Sequence, residues 1–94
     1  MKHNIQPGVV LVQVCGESML VATRLARGKC PYVKQMNPTG AFFWSLLEQG
    51  MDAEEMILAA SEAYGVPPER VRPGLMQFLE ELRKNGYLLE EGAQ

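Results

Sequence analysis

The sequence predicts an α+β domain in which a three-stranded antiparallel sheet is followed by three helices. Three observations carry this. Residues 1–36 hold short β-branched and apolar runs with a period of two. From residue 37 the apolar spacing becomes helical, and 94 residues leave too little chain for a second core, so residues 1–94 read as one domain.

The first strand is "VVLVQVC", residues 9–15, where Val10, Val12 and Val14 share a face and Gln13 interrupts the other. The second is "MLVATRL", residues 19–25. In the intervening "CGES", Gly16 followed by Glu17 can form a two-residue turn with glycine where positive φ is needed. "ARGK" reads as a loop, and "PYVKQM", residues 31–36, as a short third strand. Pro31 cannot donate to a ladder and Lys34 is a usual protection of an unpaired edge, so this strand is expected at the edge of the sheet.

Helix signals begin at Asn37, a good N-cap, with Pro38 at the first helical position. The first helix is expected over 38–49, stopping at Gly50. Gly40, Phe43, Trp44 and Leu47 form its inner face, which makes Phe43 and Trp44 core anchors. Gly40 weakens the helix and so implies an element passing close by. Phe42 and Leu46 form a second stripe, which either covers neighbouring chain or is exposed to a partner. Asp52 and Glu55 make a capping-box pattern for a second helix over 52–64, with Ala53, Met56, Ile57, Ala60 and Tyr64 along one face and Gly65 ending it. Val71, Leu75, Phe78, Leu79 and Leu82 line a third helix over 68–85, ending at Gly86, with "YLLEE" as an extended tail. Pro73 and Gly74 interrupt that pattern, and the reading favours a short first turn, a break, and then the main helix.

Hydrophobic residues make up 47% and charged residues 21%, which suits a folded domain and excludes a disordered one. The N-terminus lacks a signal peptide's apolar region, and "GVVLV" is too short to span a bilayer, so a cytoplasmic protein without membrane contact is expected. Cys15 and Cys30 then read as free thiols. His3 is the sole histidine and there is no Cys-x-x-Cys, so neither a metal nor a cofactor is expected. Ser18, Ser45 and Ser61 have no base partner apart from His3, and no phosphate-binding loop is present, which argues against an enzyme. Charge is uneven along the chain. Residues 1–36 carry five basic side chains against Glu17 alone, whereas residues 37–94 carry four basic and ten acidic ones. The cluster Arg24, Arg27, Lys29 and Lys34 is either a solvated loop or a surface for an acidic partner.

Taken in order, Met36, Asn37, Thr39, Gly40, Trp44, Leu46, Leu47, Tyr64, Phe78, Leu79, Leu82 and Gly86 resemble the pattern of the PqqD-like family, also called RiPP recognition elements. The opening around "VCGESMLV" also matches, so the resemblance covers nearly the whole chain. The chain departs from the pattern at Met36, where Leu is usual, and at Gly74, often acidic in the family. The resemblance implies a fold similar to a winged helix-turn-helix. It also implies a non-catalytic role: binding the leader of a ribosomally made precursor peptide and presenting it to a modifying enzyme, often a radical S-adenosylmethionine protein. The leader would add as a strand to the third strand, with main-chain hydrogen bonds for affinity and side-chain pockets for selectivity.

On this reading the peptide-binding residues are Tyr32, Val33, Lys34, Gln35 and Met36 on the edge strand, with Arg72, Met76, Leu79 and Arg83 on the third helix beside its core stripe. Met76 offers an adaptable apolar contact. The basic cluster would steer an acidic peptide. A homodimer formed through the same edge is a further expectation. Two alternatives stand beside it: a winged-helix DNA-binding regulator, and a protein–protein adaptor that handles no peptide. The third helix mixes Arg70, Arg72, Arg83 and Lys84 with Glu69, Glu80 and Glu81, and the pI is about 5.3, an unfavourable balance for phosphate contacts, so no nucleic-acid partner is expected.

Overall fold

The computed structural model describes residues 4–89, so Lys2, His3 and the Glu90–Glu91 end of the expected tail lie outside the described residues. Strands β1 (Val9–Val14), β2 (Glu17–Ala22) and β3 (Val33–Met36) form an antiparallel sheet in the order β1-β2-β3. Helices α1 (Pro38–Glu48), α2 (Ala53–Tyr64) and α3 (Pro68–Lys84) follow. This is the α+β order that the sequence predicts.

Register explains the boundaries that differ. Val14 pairs with Glu17, so the hairpin turn is Cys15-Gly16 rather than Gly16-Glu17. Both residues have positive φ, 51° and 79°, as a type I′ turn requires. A one-residue slip would turn Leu20 and Ala22, both buried, out to solvent. β2 ends at Ala22 instead of reaching residue 25, because its last partner is Val9. Thr23 then donates its amide to the Gly8 carbonyl (2.8 Å), and Arg24–Ala26 turns as a short 3-10 helix. β3 starts at Val33 rather than at Pro31, which has no N–H to pair.

The caps follow the sequence signals. The Gly40 amide donates to Asn37 Oδ1 at 2.7 Å. Asp52 and Glu55 exchange two 2.9 Å bonds in a capping box. α3 corrects an expectation: it runs unbroken through Pro73, without the predicted interruption. Pro73 removes only the bond to the Glu69 carbonyl, and both residues lie on the exposed face, where water can serve that oxygen.

One face of the sheet and the inner faces of the helices share a single core. Trp44, Leu20, Met56, Ile57, Leu75 and Leu82 are fully buried, and Phe43 nearly so. Replacing a buried aromatic such as Trp44 with Ala costs about 3–5 kcal/mol, although its indole Nε1 finds no acceptor among the described residues. The stripe of Phe42 and Leu46 covers neighbouring chain: Leu46 is buried, and Phe42 meets Tyr64 edge-on at 5.4 Å between centroids. Gly40 has the close neighbours its helical position implies, since a Cβ there would lie 3.3 Å from Phe78 and from Met36.

The expected tail is part of the core. Tyr87 and Leu88 are buried, and the Tyr87 hydroxyl donates to the Pro31 carbonyl at 3.0 Å. Gln6 and Leu89 amides bond the Tyr87 and Asn4 carbonyls at 2.8 and 2.7 Å, so the two ends of the described chain pair. Gly86 makes this closure possible. Its φ is +85°, and a Cβ would run into the Lys29 carbonyl. At Gly50 (φ +84°), by contrast, a Cβ meets nothing within 4 Å. Gly50→Ala is expected to cost about 1–2 kcal/mol, the left-handed penalty alone. Gly86→Ala adds a backbone clash and should cost more than about 3 kcal/mol in urea unfolding.

Candidate functional site

Both β1 and β3 are outer strands, and the end of β3 adjoins a cleft. In β3 the backbone alternates between two tasks. The Ala22 amide donates to the Tyr32 carbonyl at 2.8 Å, and the register places Leu20 opposite Lys34 and Ser18 opposite Met36. In an antiparallel ladder, hydrogen-bonded pairs alternate with unbonded ones, so Lys34 and Met36 turn their N–H and C=O toward β2. Val33 and Gln35 therefore present theirs to the open edge. This is a strand-pairing template two bonded residues long.

The β3 side chains divide by the same parity. Met36 is buried in the core, and Lys34 lies half-buried on the helix side. Val33 and Gln35 are exposed on the other face, where Val10, Val12, Val14, Met19 and Val21 also lie. Tyr32 is 61% exposed just ahead of the strand, with the Arg27 guanidinium 5.7 Å from its ring centroid.

The cleft, ≈ 540 Å³, lies between the N-terminal turn of α1, the end of α2, and one flank of α3. Phe43, Phe78, Val71 and Tyr64 give it apolar walls, and Phe43 and Phe78 rings stand 5.5 Å apart. Arg70, Gly74, Gln77 and Glu81 line it along α3 at spacings of three and four. Lys34 Nζ meets Glu81 Oε2 at 3.1 Å, which ties β3 to α3 where the cleft begins. Asn37, directly after β3, also lines it, so the cleft adjoins the end of that strand.

The expected residues of the third helix fall elsewhere. Leu79 is buried in the core. Arg72, Met76 and Arg83 occupy the opposite flank of the core stripe from Gly74 and Glu81. Arg72 donates to both Glu54 oxygens, at 2.8 and 3.0 Å, and this hydrogen-bonding holds the Glu54 carboxyl below its ordinary range. Arg83 pairs similarly with Glu80 on the same helix and lowers its carboxyl. Lys34 is thus joined to the flank of α3 that carries Arg70, Gly74, Gln77 and Glu81, and Arg72, Met76 and Arg83 lie on the other flank. A core stripe has two flanks, and helical periodicity alone gives no reason to choose between them. The available signal was Gly74, a residue of minimal size in mid-helix.

Cys15 is exposed and Cys30 half-buried, both as free thiols, and burial pushes the Cys30 thiol up. Among the described residues no group of three or more His, Cys, Asp or Glu could hold a metal ion, and His3 lies outside them. No helix of the described chain is long and apolar enough to cross a membrane.

Comparison with known proteins adds three findings. The family model described as Coenzyme PQQ synthesis protein D (PqqD) matches residues 32–88. A solved structure, "TbiB1 in Complex with the TbiA(beta) Leader Peptide", is similar at 27% identity and TM-score 0.75, over 97% of this chain and 98% of that one. No curated protein matches.

The ladder parity has a direct readout. In native-state hydrogen exchange, Val33 and Gln35 amides should exchange rapidly, and Lys34 and Met36 amides should be protected by about tenfold or more. Equal protection at all four positions would contradict the assigned parity.

Proposed function

The chain belongs to the Coenzyme PQQ synthesis protein D (PqqD) family, and we propose that it is a non-catalytic domain that captures the leader of a ribosomally made precursor peptide. The leader adds as a fourth strand to β3, and its side chains on the helix side enter the cleft beside α3. The observation that carries this reading is the open edge at Val33 and Gln35, adjoined by an apolar cleft. The leader complex of the similar TbiB1 structure supports it. The bound peptide is then presented to a modifying enzyme, such as a radical S-adenosylmethionine protein, in the cytoplasm. Among the expected contacts, Tyr32, Val33, Lys34 and Gln35 remain at the edge. Met36 supports it from the core, and the α3 contacts move to the flank of Gly74 and Gln77.

The exposed basic side chains Arg24, Arg27 and Lys29 stand just before this edge. They would accelerate the approach of an acidic leader more than they tighten its complex. The same open edge is what a homodimer would use, so self-association and peptide capture compete for it.

A ¹⁵N-HSQC titration with the synthetic leader of a precursor peptide encoded beside the gene tests capture, with duplex DNA as control. Shifts confined to Tyr32–Met36 and the Gly74 flank are expected, and a response to DNA alone would sink the proposal. Gln35→Pro should weaken the leader about tenfold by removing one outward N–H and crowding the edge, whereas Gln35→Ala should leave affinity within about twofold. Arg24→Glu combined with Lys29→Glu should slow association several-fold and flatten its dependence on salt, read by stopped flow.

A further inference from the structure

Gly74 is an exposed glycine in the interior of α3, where alanine would make a better helix. The fold supplies neither of the usual reasons for it. Its φ is not in the left-handed region, and a Cβ built there would meet no atom within 4 Å. Gly40, in α1, differs, since Phe78 and Met36 press close on it. The missing side chain of Gly74 therefore relieves no contact within the chain; it leaves the α3 wall of the cleft open.

The surroundings of that opening have a definite chemistry. Phe43, Phe78, Val71 and Tyr64 provide apolar and aromatic walls. At one end Glu81 is already paired with Lys34. Toward the other, Arg70 lies one turn, about 5.4 Å, before Gly74, and makes no ion pair among the described residues. Residues two apart on one face of a strand are separated by about 6.6–6.8 Å, so an added strand taken to run along α3 would address both positions.

We propose that the cleft is the specificity pocket for the captured peptide: it takes one bulky apolar side chain, preferably aromatic, opposite Gly74, and an acidic residue two positions away pairs with Arg70. This rests on the strand-addition reading above and adds to it the residue types the peptide must carry. Aromatic rings suit the walls because edge and tilted contacts with Phe43 and Phe78 remain available. The acidic preference follows from a lining guanidinium without a carboxylate partner.

Selection from a random dodecapeptide library displayed on phage, with the wild-type protein and the variants Gly74→Leu and Arg70→Ala as baits, tests the assignment. Wild type should enrich peptides with an aromatic residue or Leu and an Asp or Glu two positions from it. Gly74→Leu fills the opening and improves the helix, so its Tm should equal or exceed that of wild type. It should lose the bulky-residue preference and bind a synthetic wild-type consensus peptide at least about tenfold more weakly. Arg70→Ala should lose the acidic preference and keep the bulky one. A consensus without a bulky apolar residue, or one that Gly74→Leu binds undiminished, overturns the pocket while leaving strand addition intact. An acidic preference that survives Arg70→Ala overturns the pairing with Arg70. If wild type enriches no peptide, strand addition fails and the pocket fails with it.

Discussion

Burial of one face of a narrow sheet is the constraint on which the rest of this molecule depends. With three strands, only β2 is flanked on both sides, and its Leu20 and Ala22 lie under the helices. A sheet with one apolar face must cover it, and α1, α2 and α3 all commit their apolar stripes to the same side. Trp44, Met56, Ile57, Leu75 and Leu82 complete that core. The helices are thereby spent on the face, and the far edge of β3 keeps its unpaired main-chain groups.

That residue of unsatisfied hydrogen bonding is a liability in most proteins. Here its protection is its shortness. β3 is four residues long, and the one lysine that could guard it, Lys34, turns toward α3 and pairs with Glu81. The result is an edge tied to the helical layer at one point, with a cleft directly beyond. Main-chain pairing is indifferent to sequence, so under the proposed strand addition at Val33 and Gln35 discrimination among peptides falls to the cleft. That proposal divides the labour between a generic edge and a selective pocket.

The exposed ion pairs play a lesser part. Arg72–Glu54 joins α2 to α3 and Arg83–Glu80 sits within one helix turn, both in water where such pairs add little stability. Their effect is to occupy two arginines on the flank of α3 away from β3. Arg70, on the cleft flank, stays outside these pairs.

Local signals in the sequence determined the elements. Asn37-Pro38, the Asp52/Glu55 box and the period-two valines each act within a few residues, so the α+β order, the core role of Phe43 and Trp44, and the edge position of the third strand were legible without coordinates. Continuity of α3 was not, because the cost of Pro73 depends on whether Glu69 faces solvent, a matter of packing. The extent of β2 depended on where β1 begins, which is a property of register. Tyr87 and Leu88 read as a tail because their partners, Pro31 and residues 4–6, are far away in sequence. The flank of α3 that faces β3 was likewise decided only by tertiary structure. A helix pattern fixes which stripe is buried, but the side on which a neighbouring strand lies is set by how the two elements dock, and here the Lys34–Glu81 contact and the opening at Gly74 mark that side.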